Sequence, residues 1–321
     1  MRSPITDKEM KVVKEMRKAS FRKEEFEIVF HAYKCEDSGE LFEDDVFSQL
    51  NYNQVINKYR EKHSIPCSKQ IAAIRQKYEL PAIKMSEILG FGANTYRQYE
   101  ADEVPSISNA NLINLIEDPH EFYRILDKNK NLDAKFKAKL LKKVEELIKT
   151  AKKNKHDRCI VEYLLGKNTA DAFTGYQNPD LGKISNMILF FAEKTEAWKT
   201  KLNKLLFYSD FAMFRRSAQS ISGTRYAAIN LGPVPDKFNS IYEFLHERKD
   251  IIIENIYFSD GGTGSIIKTS PQKTFNADLF SDQEIAIMNM VAEKFIETTA
   301  KEIIEISHNE KAWIENKDNK S

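Results

Sequence analysis

Residues 86–100 read SEILGFGANTYRQYE. Ile88 and Leu89 close a run with helical spacing, and Gly90 and Gly92 are stop signals for it. Asn94 then opens a second run in which Tyr96 and Tyr99 lie three apart. The stretch predicts two short helices joined by a glycine turn. Tyr96 and Tyr99 belong inside with Met85, Ile88, Leu89 and Leu112, which leaves Asn94, Thr95, Arg97 and Gln98 on the outer face. Asn94 and Gln98 are four apart, so both amides project from one side, and an amide matches the N6/N7 edge of adenine. Arg97 and Lys84 suit phosphates, which set register without reading sequence. Spacing leaves two readings open: a DNA reader, or a plain helical hairpin with a solvated outer face.

Outward from this stretch, composition bounds the rest. The 321 residues suggest two or three domains, and the low glycine and proline content (11 and 9) suggests helix-rich globular structure. Lys and Arg (49) balance Asp and Glu (48), so the whole chain has no field that marks nucleic acid. The balance hides a split. Residues 128–158 carry twelve Lys/Arg and four Asp/Glu, whereas 278–318 carry ten Asp/Glu and four Lys. Two oppositely charged segments point to surfaces with different partners, or to two solvated helix faces. Cys35, Cys67 and Cys159 are scattered without metal-like spacing, which fits a reducing compartment. The N-terminus is charged, and no apolar run approaches the 18 residues of a membrane span. A cytoplasmic location with no membrane partner is the simplest expectation.

Along the chain, a charged first helix is expected before residue 21. Phe26, Ile28 and Phe30 alternate as in a half-buried strand, and CEDSGELF supplies a turn and a second short strand, so a β-hairpin is expected. Residues 44–62 return to helical spacing. From 67 to 128 short helices follow one another, punctuated by Pro81, Pro105 and Pro119. Residues 133–154 form a lysine-rich helix with Phe136, Leu140, Val144 and Leu147 in one stripe, resembling a connecting arm. NTADAFTGYQNPDLG (168–182) has loop composition and marks the main boundary. Beyond it, helical periods at 183–218 and 281–306 enclose strands at 224–230, 251–258 and 265–269.

Catalytic motifs are absent. None of the six His has a Cys or Ser partner in a nucleophile motif. Asp260, Gly261 and Gly262 in SDGGTGS lack the GK[ST] of a phosphate-binding loop and read as a hairpin turn. His308 and Glu310 in SHNEKAW suit a helix-end contact; a hydrolase would need His308 in its site. The expectation is no enzyme, no cofactor and no metal.

Two families resemble parts of this sequence. YREKHSIPCSKQIAAIRQKYELPAIKMSEILGFGANTYRQYEADEVPS with NLINLIEDPHEF, within about 21–122, resembles the MqsA-type antitoxins. Those proteins join a small zinc-binding module to an Xre-like helix-turn-helix. The resemblance implies operator DNA as a partner, with Lys84, Asn94, Thr95, Arg97 and Gln98 as the contacting residues. There are two departures. The family's two CxxC pairs are reduced here to Cys35 in CEDS, with Ser38 at the second position, and His31 cannot replace three thiolates. Ala82 stands where a phosphate-contacting Gln is common.

KISNMILFFAEK (183–194), KLNKLLFYSDFAMFRRSAQSISGTRYAAINLGPVPDKFNSIYEFL (201–245), FSDQEIAIMNMVAEKF (280–295) and ISHNEKAW (306–313) resemble the Panacea, or SocA-like, domain. This implies a domain that neutralises a cognate protein toxin. The residues assigned to toxin contact are Lys204, Tyr208, Arg215, Arg225, Tyr226, Pro233 and Trp313; Tyr and Arg are favoured at hot spots, with core packing as their alternative role.

The expected fold class is α+β, mainly helical. It comprises a β-hairpin module (1–65), a helix-turn-helix domain (66–128), a basic helical linker (129–179) and a helix-rich Panacea domain with a small antiparallel sheet (180–321). The expected function is that of a type II antitoxin, a homodimer that also represses its operon. The alternative is a transcription regulator or protease adaptor whose C-terminal half binds another protein.

Overall fold

The computed structural model describes residues 1–153, 155–259 and 261–318, with side chains outside 151–158. Asp260 of the SDGGTGS turn and the side chains at the end of the basic segment therefore lie outside the described residues. The fold is mixed α+β, with helix in about half of the chain. The chain divides into two compact units, Met1–Cys159 and Ile160–Ser321.

The first unit opens with a long antiparallel hairpin, β1 (Lys11–Phe21) against β2 (Glu24–Lys34), extended by the short β3 (Leu41–Phe42). This corrects the expectation of a charged first helix. KVVKEMRKASF suits a helix by its lysines, but eleven residues pair in register with β2, from Lys11↔Lys34 to Phe21↔Glu24. Cross-strand pairing outweighs weak local propensity. Arg22 and Lys23 make the two-residue turn, both left-handed (φ 47 and 69), the conformation that matches strand twist in such hairpins.

Helix α1 (Asp45–His63) covers one face of the hairpin, with Val55, Ile56 and Tyr59 packed on Phe26 and Ile28. It also seals the free edge of β2. Asn51 accepts from His31 N at 2.9 Å and donates to His31 O at 2.9 Å, while Gln54 does the same at Val29 (3.0 and 2.9 Å). Side-chain amides thus stand in for a missing strand.

Five short helices follow: α2 (Ser68–Lys77), α3 (Ala82–Leu89), α4 (Thr95–Glu100), α5 (Ile107–Leu115) and α6 (Pro119–Lys128). Their shared core contains Ile71, Met85, Ile88, Tyr96, Ile113 and Phe122. The lysine-rich α7 (Ala134–Lys153) packs its stripe into this same core, with Leu140 and Val144 buried. Helix α8 (Lys155–Leu165) comes next.

In the second unit, α9 (Leu181–Lys194) and α10 (Lys199–Ser217) lead into two hairpins separated by a helix: β4 (Tyr226–Ile229) with β5 (Gly232–Pro235), α11 (Phe238–Glu247), then β6 (Ile251–Tyr257) with β7 (Thr263–Thr269). Helices α12 (Asp282–Phe295), α13 (Ala300–His308) and the short α14 (Lys311–Ile314) complete it. Leu202, Leu205, Leu206 and Phe207 bury most of the circumference of α10, which makes it the axis of the unit.

Candidate functional site

Two places combine exposed or buried polar groups with rigid support. The first is the α3–α4 pair. Gly90, left-handed at φ 71, ends α3, and Phe91 N returns to Ser86 O at 2.8 Å. The buried Ser86 hydroxyl accepts from Tyr96 N at 3.1 Å, so the first turn of α4 is bonded to α3. Tyr96 donates from its hydroxyl to Ile71 O at 2.9 Å, and Tyr99 accepts from Asn109 Nδ2 at 2.8 Å. Burial pushes the Tyr96 phenol well above its ordinary value, so it stays a donor.

With both tyrosines anchored, α4 presents Asn94, Arg97 and Gln98 to solvent and leaves Thr95 half-buried. Asn94 sits at the N-cap, yet its side chain makes no capping hydrogen bond. Its amide is therefore available beside that of Gln98. Lys84 lies on α3 and pairs with Glu87 at 2.6 Å. Ala82 takes the first position of α3 and packs against the core.

The second place is the polar interior around α10. Asp210 is buried and accepts four bonds: from the N–H groups of Ile221 and Ser222 (both 2.8 Å), the Ser222 hydroxyl (2.6 Å) and the Tyr226 hydroxyl (2.7 Å). Burial raises its carboxyl above the ordinary value, against the pull of these donors. The chain just after α10 is thereby folded back onto the helix, with the SISGTRY segment strapped to one carboxylate. Asp210 was not among the expected site residues. An aspartate inside a helix apolar on most sides is the signal that could have found it.

Six residues earlier on the same helix, Lys204 is fully buried and donates from Nζ to Pro233 O at 2.8 Å. Burial pulls its ammonium down to about 7. Gly232 holds φ +89 there, and a Cβ on it would collide with the Ser307 hydroxyl and come within 2.9 Å of Lys204 Cε. Trp313 stacks on His308 (centroids 4.0 Å apart) and donates from Nε1 to Ile229 O at 2.9 Å. Tyr208 stacks on Phe295 at 4.8 Å. Burial, with Glu310 next in importance, raises its phenol.

The structure thus gathers Lys204, Pro233, Tyr226 and Trp313 around the β4–β5 hairpin. Arg225 lies beside it, ion-paired with Asp171 at 2.5 Å. Arg215 stands apart, exposed in the last turn of α10 next to the exposed Phe211 and Phe214. Lys204 and Pro233 have no surface to offer a partner, whereas Arg215 does.

Residues 202–314, about a third of the chain, match the family described as Antitoxin SocA-like, Panacea domain. The matched span begins on α10 and ends on Trp313's helix, so it contains the whole Asp210–Lys204–Trp313 arrangement. No curated protein and no solved structure matches the chain. Among the described residues, no helix is long and apolar enough to cross a membrane.

Proposed function

From the SocA-like Panacea match over residues 202–314 we propose that this chain is the antitoxin of a type II toxin–antitoxin pair. The C-terminal unit binds a cognate protein toxin and blocks it by covering a surface, with no chemical step and no cofactor. Its rigid polar interior holds the surface in shape, and direct contact falls to accessible groups such as Arg215 and the flanking Phe211 and Phe214. Aromatic and arginine side chains are the residue types that dominate binding energy at interfaces. The α3–α4 pair reads operator DNA in the cytoplasm, as a homodimer on a two-fold site, and represses the operon. The anchored tyrosines and the outward amides of Asn94 and Gln98 support that part.

Co-expression with the product of the adjacent gene tests neutralisation. The full chain should bind that protein and restore growth; no binding and no rescue defeat the antitoxin reading. For DNA, Asn94→Ala and Gln98→Ala should each weaken binding to the promoter upstream of the gene by about 1–3 kcal/mol and relax preference at one base pair. Unchanged binding in both variants defeats the assignment of the reading face.

A further inference from the structure

Helix α7 carries a feature that the reading of α4 does not use. Its apolar seam (Phe136, Leu140, Val144, Leu147) is packed into the core of α2–α6, so the helix is a fixed part of that core. Two contacts place it along the start of α3. Lys84 Nζ lies 5.5 Å from the centre of the Phe136 ring, and Lys143 pairs with Glu79, two residues before Pro81.

An ideal helix turns about 100° per residue. Lys135, Lys139, Lys142 and Lys149 then fall on one flank of α7, on the Lys143 side of the seam. All four are exposed, and none has an ion-pair partner among the described residues. Glu146 is the one acidic residue on that flank. At 1.5 Å per residue the row from Lys135 to Lys149 spans roughly 21 Å. A solvated face would usually intersperse both signs along such a length. This one keeps a nearly uniform sign, on a helix that meets Lys84 through Phe136, and Lys84 is on the element that meets DNA in the reading above.

We infer that the lysine flank of α7 is a second, sequence-independent DNA contact, which holds backbone phosphates beside the site read by α4. The inference rests on the DNA-binding reading of α3–α4. It divides the work: Asn94 and Gln98 carry sequence preference, and α7 carries much of the salt-dependent affinity. Each phosphate neutralised by a lysine releases condensed counterions and adds about 0.9 to the slope of log K against log salt.

The test uses the full chain with two duplexes of equal length, the promoter upstream of the gene and a scrambled sequence. The quadruple variant Lys135→Gln, Lys139→Gln, Lys142→Gln, Lys149→Gln should lower the salt slope by about 2 to 4 on both duplexes. Preference for the promoter should stay as it was. The matching quadruple change to Arg should keep the wild-type slope, which separates lost charge from damaged folding. Asn94→Ala should do the reverse, losing preference and keeping the slope. If the Gln variant keeps its slope while Asn94→Ala loses preference, the α7 contact is overturned and the DNA reading stands. Loss of toxin binding by the Gln variant with an unchanged slope overturns it in favour of an acidic protein partner. Failure of the wild-type chain to bind either duplex defeats the DNA reading itself, and the α7 contact with it.

Discussion

Lys204 donates from Nζ to the Pro233 carbonyl oxygen at 2.8 Å, and among the described residues no carboxylate joins the pair. The ammonium is fully buried, and desolvation pulls it to about 7, far below the ordinary lysine value near 10.4. Between those two pH values the unfolded chain binds a proton that the folded chain has released. Stability should therefore rise as pH goes from 7 toward 10. Lys204→Met should flatten that rise by on the order of 2 kcal/mol between pH 7.5 and 9.5, measured by urea unfolding of both proteins. Parallel pH profiles would contradict the assignment.

Asp210 closes the loop after α10 through four donors, two of them backbone N–H groups of Ile221 and Ser222. Asp210→Ala should cost about 3–5 kcal/mol, because buried donors lose a shared acceptor at once. Asp210→Asn should cost less, since its oxygen can still accept from the two N–H groups. Denaturant midpoints would show this order; equal costs would mean that the two N–H bonds to one oxygen do not carry the stabilisation.

Gly232 and Gly39 are both left-handed, at φ 89 and 74, but only Gly232 is crowded. Gly39→Ala meets open space and should cost about 1 kcal/mol of backbone strain. Gly232→Ala adds a collision with Ser307 and Lys204 and should cost several times as much, about 3 kcal/mol or more. Thermal melts of the two variants provide the comparison.

Asn51 completes the edge of β2 with a reciprocal pair of bonds to His31 and a further one to Glu43 at 2.8 Å. Asn51→Ala should destabilise the N-terminal unit by about 1–3 kcal/mol. It should also expose an unpaired strand edge, a template for association between chains. Light scattering during mild heating should show earlier aggregation than in the wild type; an unchanged onset would show that Gln54 suffices.

How much of this was legible before folding differs by element. The α2–α6 helices and the hairpin at 251–269 carry their own signals: apolar spacing, Gly90 at a turn, and proline at helix starts; the strand at 232–235 does not, since Gly232, Pro233 and Pro235 suggest a rigid turn. These are local rules, satisfied by residues a few positions apart. The first strand is ambiguous in sequence because KVVKEMRKASF satisfies a helix about as well as a strand, and only pairing with β2 decides between them. The candidate reading face followed from the three-residue spacing of Tyr96 and Tyr99.

The interior of the C-terminal unit was another matter. The resemblance assigns Lys204, Tyr226, Pro233 and Trp313 to toxin contact, with core packing as the alternative for Tyr226; in the structure Lys204 and Pro233 are buried and the other two half-buried in one arrangement. Asp210, its central acceptor, draws partners from eleven to sixteen residues away. Sequence alone determined which segments are helix or hairpin wherever local pattern and turn chemistry agree, and it supplied the charge of the α7 lysines. Tertiary structure decided which charged groups lose water and which keep it. Burial depends on elements distant in the chain, and burial is what turns a lysine into a neutral-range base and an aspartate into a structural clasp.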